Sequence, residues 1–116
     1  MNEHEIQKDI EEIWEKICGA CNKIINDTKL FGFMEIGLVP NPNIHDMVRY
    51  LVVIDKVLDS ILMLVECNEA DHVDSRVIFN SKQQIFNMKQ MANAVVKNDI
   101  DSYHEYLRKL KNQSLI

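Results

Sequence analysis

The chain has few of the residues that interrupt helices. Three glycines and two prolines occur among its 116 residues, and four of these five lie between Gly32 and Pro42. A protein built from strands needs turn residues at intervals of roughly 8–12 residues, and this chain lacks that spacing. The sequence therefore favours a helical fold, and its length predicts a single helical domain over residues 1–116.

The chain also lacks long apolar runs and an excess of positive charge. Its most apolar window, residues 50–65, is interrupted by two aspartates, a lysine and a serine, so it falls short of the about 18 unbroken apolar residues of a membrane span. Thirteen Lys and Arg against 18 Asp and Glu give a net charge of −5, which disfavours direct binding of nucleic acid. Because the N-terminal residues are acidic and polar, we expect no secretion signal, no membrane association and a cytoplasmic location.

Apolar side chains recur at three- and four-residue steps in four segments, as they do in amphipathic helices. These segments predict helices over about 2–28, 44–68, 75–98 and 100–111. Short connectors between them indicate an all-α fold, a four-helix antiparallel bundle with three long helices and a shorter C-terminal one.

The second helix is apolar around most of its circumference, which is typical of a central helix. Asn43 and the pair Asn98-Asp99 precede helices at positions where capping residues are expected. Residues 76–79 have some strand character and give the weakest helical signal.

An apolar segment, Phe31–Val39, follows the first helix and lies among four of the five glycines and prolines. Two interpretations remain open. The segment is a loop that packs on the bundle, which we favour, or it is an exposed patch that contacts a partner or a second copy of the chain.

Three cysteines cannot pair completely within one chain, and reduced thiols fit a cytosolic protein. Cys18 and Cys21 have the C-x-x-C spacing of redox and zinc sites. Both fall on or beside the apolar face of the first helix, so we expect buried structural thiols and no cofactor. The metal alternative would recruit Cys67 and His72 as further ligands.

Sequence motifs of catalysis are lacking. The chain has no glycine-rich phosphate loop, no dinucleotide-binding fingerprint and no nucleophile elbow. Its four histidines are scattered, and none lies one helical turn from another. The sequence therefore predicts a protein that is not an enzyme.

The candidate partner-binding residues are acidic and aromatic. Carboxylates follow one another from Glu66 to Asp74 without an intervening lysine or arginine, which suits docking of a basic partner. A solvated connector is the alternative, and the acidic N-terminal helix is a rival patch. Tyrosine is an apt interface anchor, and two tyrosines three residues apart cannot both face the core centrally. The candidate set is Asp55, Asp59, Glu66, Glu69, Asp71, Asp74, Tyr103 and Tyr106.

Small size, acidic balance and the lack of catalytic motifs favour a non-enzymatic binding protein. Abundant Ile, Asn and Lys with few Arg indicate an AT-rich bacterial or phage gene. We therefore predict an immunity protein or antitoxin that neutralises a basic, nuclease-type toxin. The alternatives are a phage anti-defence inhibitor, a thiol- or metal-dependent regulator built on Cys18 and Cys21, and a self-associating helical structural protein.

Overall fold

The structure is a computed structural model that describes residues 3–28, 43–67 and 73–112. These residues form four helices, α1 (Glu3–Thr28), α2 (Ile44–Glu66), α3 (Ser75–Val96) and α4 (Ile100–Asn112). The described residues contain no strand, and residues 76–79 are helical. The helices pack together, which confirms the prediction of an all-α four-helix bundle. The apolar segment Phe31–Val39 lies outside the described residues.

Side chains cap three of the helices at their first turn. Asn43, Asp74 and Asp99 each accept a hydrogen bond from a backbone N–H of the turn that follows, at 2.9, 2.9 and 3.2 Å. Such acceptors satisfy N–H groups that have no partner within the helix. Accordingly α2, α3 and α4 begin at the predicted residues, while α2 and α3 end two residues earlier than predicted.

A tight turn at residues 97–99 lays α4 along α3. Asn98 has a positive φ of 55°, and its N–H bonds the carbonyl of Val95 at 3.1 Å. The next N–H, of Asp99, bonds the carbonyl of Ala94 at 2.8 Å. This pair of bonds is a Schellman motif, in which a left-handed residue ends the helix. Asparagine adopts that conformation more readily than other side-chain-bearing residues.

The central helix is α3, and the prediction that α2 is central is wrong. α3 packs against each of the other helices and most extensively against α4, whereas α2 and α4 make no contact within the described residues. The apolar circumference of α2 is only partly buried. Its buried stripe is Met47, Leu51, Ile54, Leu58 and Ile61, and its exposed apolar residues are Tyr50, Val52, Val53 and Met63.

The sequence does not identify α3 as the central helix, because this helix contains polar residues that are nevertheless buried. Ser81, Gln84 and Asn87 are buried among the apolar side chains of α3. They lower the average hydropathy of the helix, although nine of its residues are buried. No helix in the described part of the chain is both long and apolar enough to cross a membrane.

Candidate binding surface

Two of the predicted acidic residues, Asp55 and Asp59 of α2, form an ion triad with Lys82 of α3. The Lys82 ammonium donates a hydrogen bond to Asp55 Oδ1 at 2.9 Å and another to Asp59 Oδ1. Because the aspartates are one helical turn apart, a single lysine reaches both. Two carboxylates and one ammonium leave the triad with a net negative charge.

Hydrogen bonding stabilises the charged forms within the triad. The hydrogen bond from Lys82 lowers the pKa of Asp59, against a smaller opposing effect of desolvation. Burial on its own would lower the pKa of Lys82, but the hydrogen bonds to Asp59 and Asp55, together with the negative charges of these carboxylates, outweigh it and raise that pKa. These carboxylates are therefore partly engaged within the protein, so they attract a basic partner less than unpaired aspartates would.

The other predicted acidic residues differ in their availability. Glu66 is exposed at the end of α2, and no described residue forms an ion pair with it. Asp74 caps α3 and pairs with Arg76 at 2.9 Å, and the hydrogen bond from Arg76 lowers the pKa of Asp74. Glu69 and Asp71 lie outside the described residues. Among the described acids of the predicted set, Glu66 is the most available to a partner.

Two phenylalanine rings stand on the outer side of α3 next to the triad. Phe79 and Phe86 are 54% and 49% exposed, and their seven-residue spacing puts them on the same side of the helix. A shallow groove of about 370 Å³ lies beside them, and its lining includes Asp55, Lys82 and Lys89. The rings therefore form an apolar strip with charged groups along one edge.

The neighbouring side of α2 adds two apolar residues to this strip. Val52 and Met63 are exposed, and their spacing from Asp59, seven and four residues, puts them on its side of the helix. We call the whole region the α2–α3 surface. It comprises Val52, Asp55, Asp59, Met63, Glu66, Phe79, Lys82, Phe86 and Lys89.

Neither phenylalanine belongs to the predicted binding set. Both lie off the apolar face of α3 that the three- and four-residue steps define, and Phe79 falls in the segment with strand character. One feature of the sequence could have identified them: phenylalanine occurs twice at a spacing of seven residues, outside the apolar face of the helix. An aromatic pair in such a position lies away from the helix face that packs into the core of the bundle.

The prediction that Tyr103 is a surface anchor is wrong. Tyr103 is 1% exposed, and its hydroxyl donates a hydrogen bond to Asp9 Oδ2 at 3.1 Å. The physical reason is its place on the apolar stripe of α4, one turn before Leu107. Tyr106 is partly buried against the core, and the ammonium of Lys109 lies 4.9 Å from its ring centroid.

The two cysteines of the C-x-x-C motif are buried in the core. Burial raises the pKa of Cys18 to about 11. Burial, together with the nearby Cys18, raises the pKa of Cys21 to about 12. Both thiols therefore stay protonated at neutral pH, and a protonated thiol is a poor nucleophile and a poor metal ligand. This environment supports the structural interpretation of the motif.

The three cysteines of the metal alternative are not grouped as ligands of one metal ion. Cys67 is exposed at the end of α2, apart from the buried pair, and His72 lies outside the described residues. Within residues 3–28, 43–67 and 73–112, no three His, Cys, Asp or Glu side chains are grouped so that they could hold a metal ion.

Comparison of the chain with protein-family models, with curated proteins and with solved structures gave no significant match.

Proposed function

We propose that this chain is a non-enzymatic binding protein that inhibits a protein partner by covering it with the α2–α3 surface. The observation that carries the proposal is the pair of half-exposed rings of Phe79 and Phe86 on one side of α3. Aromatic residues are enriched at the centres of protein interfaces, while charged residues are found at their rims. The strip of rings beside charged groups has that arrangement.

More specifically, we propose that the chain is an immunity protein or antitoxin that acts in the cytoplasm on a basic, nuclease-type toxin. The net charge of −5 supports a basic partner. At the α2–α3 surface, the exposed Glu66 and the net negative triad would face the partner's cations. Complementary charges accelerate encounter and fix the register of a complex. A phage anti-defence inhibitor would use the same surface on a different target.

The experiment is affinity capture with the tagged chain from its native host, followed by identification and purification of the captured protein. We expect a basic protein whose nuclease activity falls when the chain is added in equimolar amount. A double variant, Phe79→Ser with Phe86→Ser, should lose capture and inhibition because it removes the aromatic centre of the surface.

A matched control removes exposed apolar side chains elsewhere. Val53 and Val96 are also exposed but lie outside the α2–α3 surface, so Val53→Ser with Val96→Ser should capture the partner like the wild type. Equal capture by both double variants would contradict the use of this surface. A captured protein whose activity is unchanged by the chain would contradict the inhibitor role.

A further inference from the structure

We propose that the free chain covers the α2–α3 surface with a second copy of itself, in a twofold dimer in which the two α3 helices pack antiparallel. The association requires only the chain itself. Its role as a control on partner binding rests on the proposed function, because one surface cannot hold a second copy and a partner at the same time.

The two phenylalanines make the outer side of α3 complementary to itself. They are separated by seven residues, with the midpoint of their spacing between Lys82 and Gln83. A twofold axis through that midpoint places Phe79 of one copy against Phe86 of the other, and the reverse pair follows by symmetry. Both half-exposed rings of each copy are then covered by a ring of the second copy.

The same axis brings opposite charges together at both ends of the strip. Asp55 and Asp59 of α2 bond Lys82 of α3, and only eight residues, 67–74, separate α2 from α3, so the two helices run antiparallel. This register puts Glu66 near the level at which α3 begins. The twofold axis places Lys89 of the other copy at about the same height along α3, within reach of the Glu66 carboxylate.

Glu66 and Lys89 are suited to pair between copies because neither has an ion pair among the described residues. Lys89 lies at the groove beside Phe86, and Glu66 is exposed. Symmetry forms the pair twice. Each ion triad keeps its internal hydrogen bonds at the centre of the dimer but carries one negative charge in excess. The axis brings the two triads close together, so their repulsion weakens the association.

The area available matches a weak dimer. A phenylalanine side chain buries roughly 150–250 Å² when it is fully covered, so a half-exposed ring offers roughly 100 Å². The rings with Val52 and Met63 give roughly 400 Å² of apolar surface per copy, and polar atoms at the rim bring the interface near the lower bound of about 1,200 Å² for specific complexes. We therefore expect a weak dimer whose dissociation constant lies well above about 1 μM.

Sedimentation velocity of the purified chain, from about 1 μM to 1 mM, tests the proposal without any partner. The wild type should pass from monomer to dimer over this range. Phe86→Ser should weaken association at least about 30-fold, as expected for loss of a central aromatic residue. Glu12→Lys, an exposed charge reversal on α1, is the control and should dimerise at least as well as the wild type. Far-UV circular dichroism confirms that each variant is folded.

Charge reversal tests the antiparallel geometry itself. Glu66→Lys alone and Lys89→Glu alone each place two like-charged pairs in the homodimer, so each should associate about 10-fold more weakly than the wild type. An equimolar mixture of the two single variants restores both attractive pairs, so it should form a mixed dimer in preference to either homodimer.

A wild type that stays monomeric up to 1 mM would overturn the proposal and leave the surface to a different protein, with the proposed function intact. Dimerisation unaffected by Phe86→Ser, or a mixture that associates no better than the single variants, would overturn the antiparallel pairing of the two α3 helices. Failure of the proposed function is read separately, from captured partners and their activity.

Discussion

In α2 and α3 the mean hydropathy of a helix and its burial in the bundle are related in opposite ways. α2 is the more apolar helix, yet it is peripheral and exposes Val53 and Met63. α3 is more polar, yet it packs against all three other helices and buries Gln84 and Asn87. Burial therefore follows the number of helices that pack against an element and not its mean hydropathy. We propose that the exposed apolar residues of the peripheral helix α2 are surface that another molecule covers.

Substitutions on the buried and the exposed side of α2 should give the largest difference in stability. Ile54 is buried and Val53, next to it, is 60% exposed. Ile54→Asp should unfold the domain, with a loss of more than about 4 kcal/mol, because it buries a charge that has no partner. Val53→Asp should change stability by only about 0.5 kcal/mol. Thermal melts followed by circular dichroism measure both, and a cooperative melt little changed by Ile54→Asp would show that the core is misassigned.

One methionine on each helix allows the stability effects of the same substitution in α3 and α2 to be compared. Met88 of α3 is completely buried and Met63 of α2 is 64% exposed. Met88→Ala should cost about 2–5 kcal/mol because it leaves a cavity in the core, whereas Met63→Ala should cost less than about 0.5 kcal/mol. Urea unfolding gives both values. Equal losses for the two variants would refute the central position of α3.

A buried polar group of α3 is expected to cost stability. The Gln84 side chain is buried, and its Oε1 accepts no hydrogen bond from any described group. Gln84→Met keeps the length of the side chain and removes the unpaired acceptor, so it should raise the free energy of unfolding by about 1 kcal/mol. The same urea titration measures it. A loss of stability would mean that the amide makes an interaction that methionine cannot replace.

The α2–α3 ion triad predicts a small pH effect. The pKa of Asp59 is lowered in the folded state, so its contribution is fully present above the unfolded-state pKa of about 3.9. That contribution is lost as the pH falls through the lower folded pKa. Because Asp59 is half-exposed, solvent screening keeps the effect small. The stability advantage of the wild type over Asp59→Asn should therefore shrink between pH 5 and pH 3, and an advantage that grows would contradict the assignment.

The helices and their starts are predictable from sequence because their causes are local. Asn43 and Asp99 cap the turns that directly follow them, and the apolar stripe of α2 is set by residues within a few turns of one another. The C-x-x-C thiols follow the same rule, since their burial depends on the face of α1 to which they belong.

The central helix and the candidate binding surface are not predictable in the same way, because they depend on the register between helices. Lys82 pairs with aspartates 23 and 27 residues away, and nothing near Lys82 in the sequence indicates which carboxylates it meets. Tyr103 is buried partly because Asp9, 94 residues away, accepts its hydroxyl hydrogen. Phe79 and Phe86 become a surface only because three other helices occupy the remaining sides of α3.

We propose that α3 contributes one side to the core and uses the other side for binding. Urea unfolding of Phe79→Ser with Phe86→Ser, at a protein concentration of about 1 μM where the monomer prevails, tests it most directly. We expect a change in the free energy of unfolding of less than about 1 kcal/mol, since both rings are half-exposed in the monomer and surface substitutions change stability little. A loss of more than about 2 kcal/mol would contradict the claim and make the two rings part of the core.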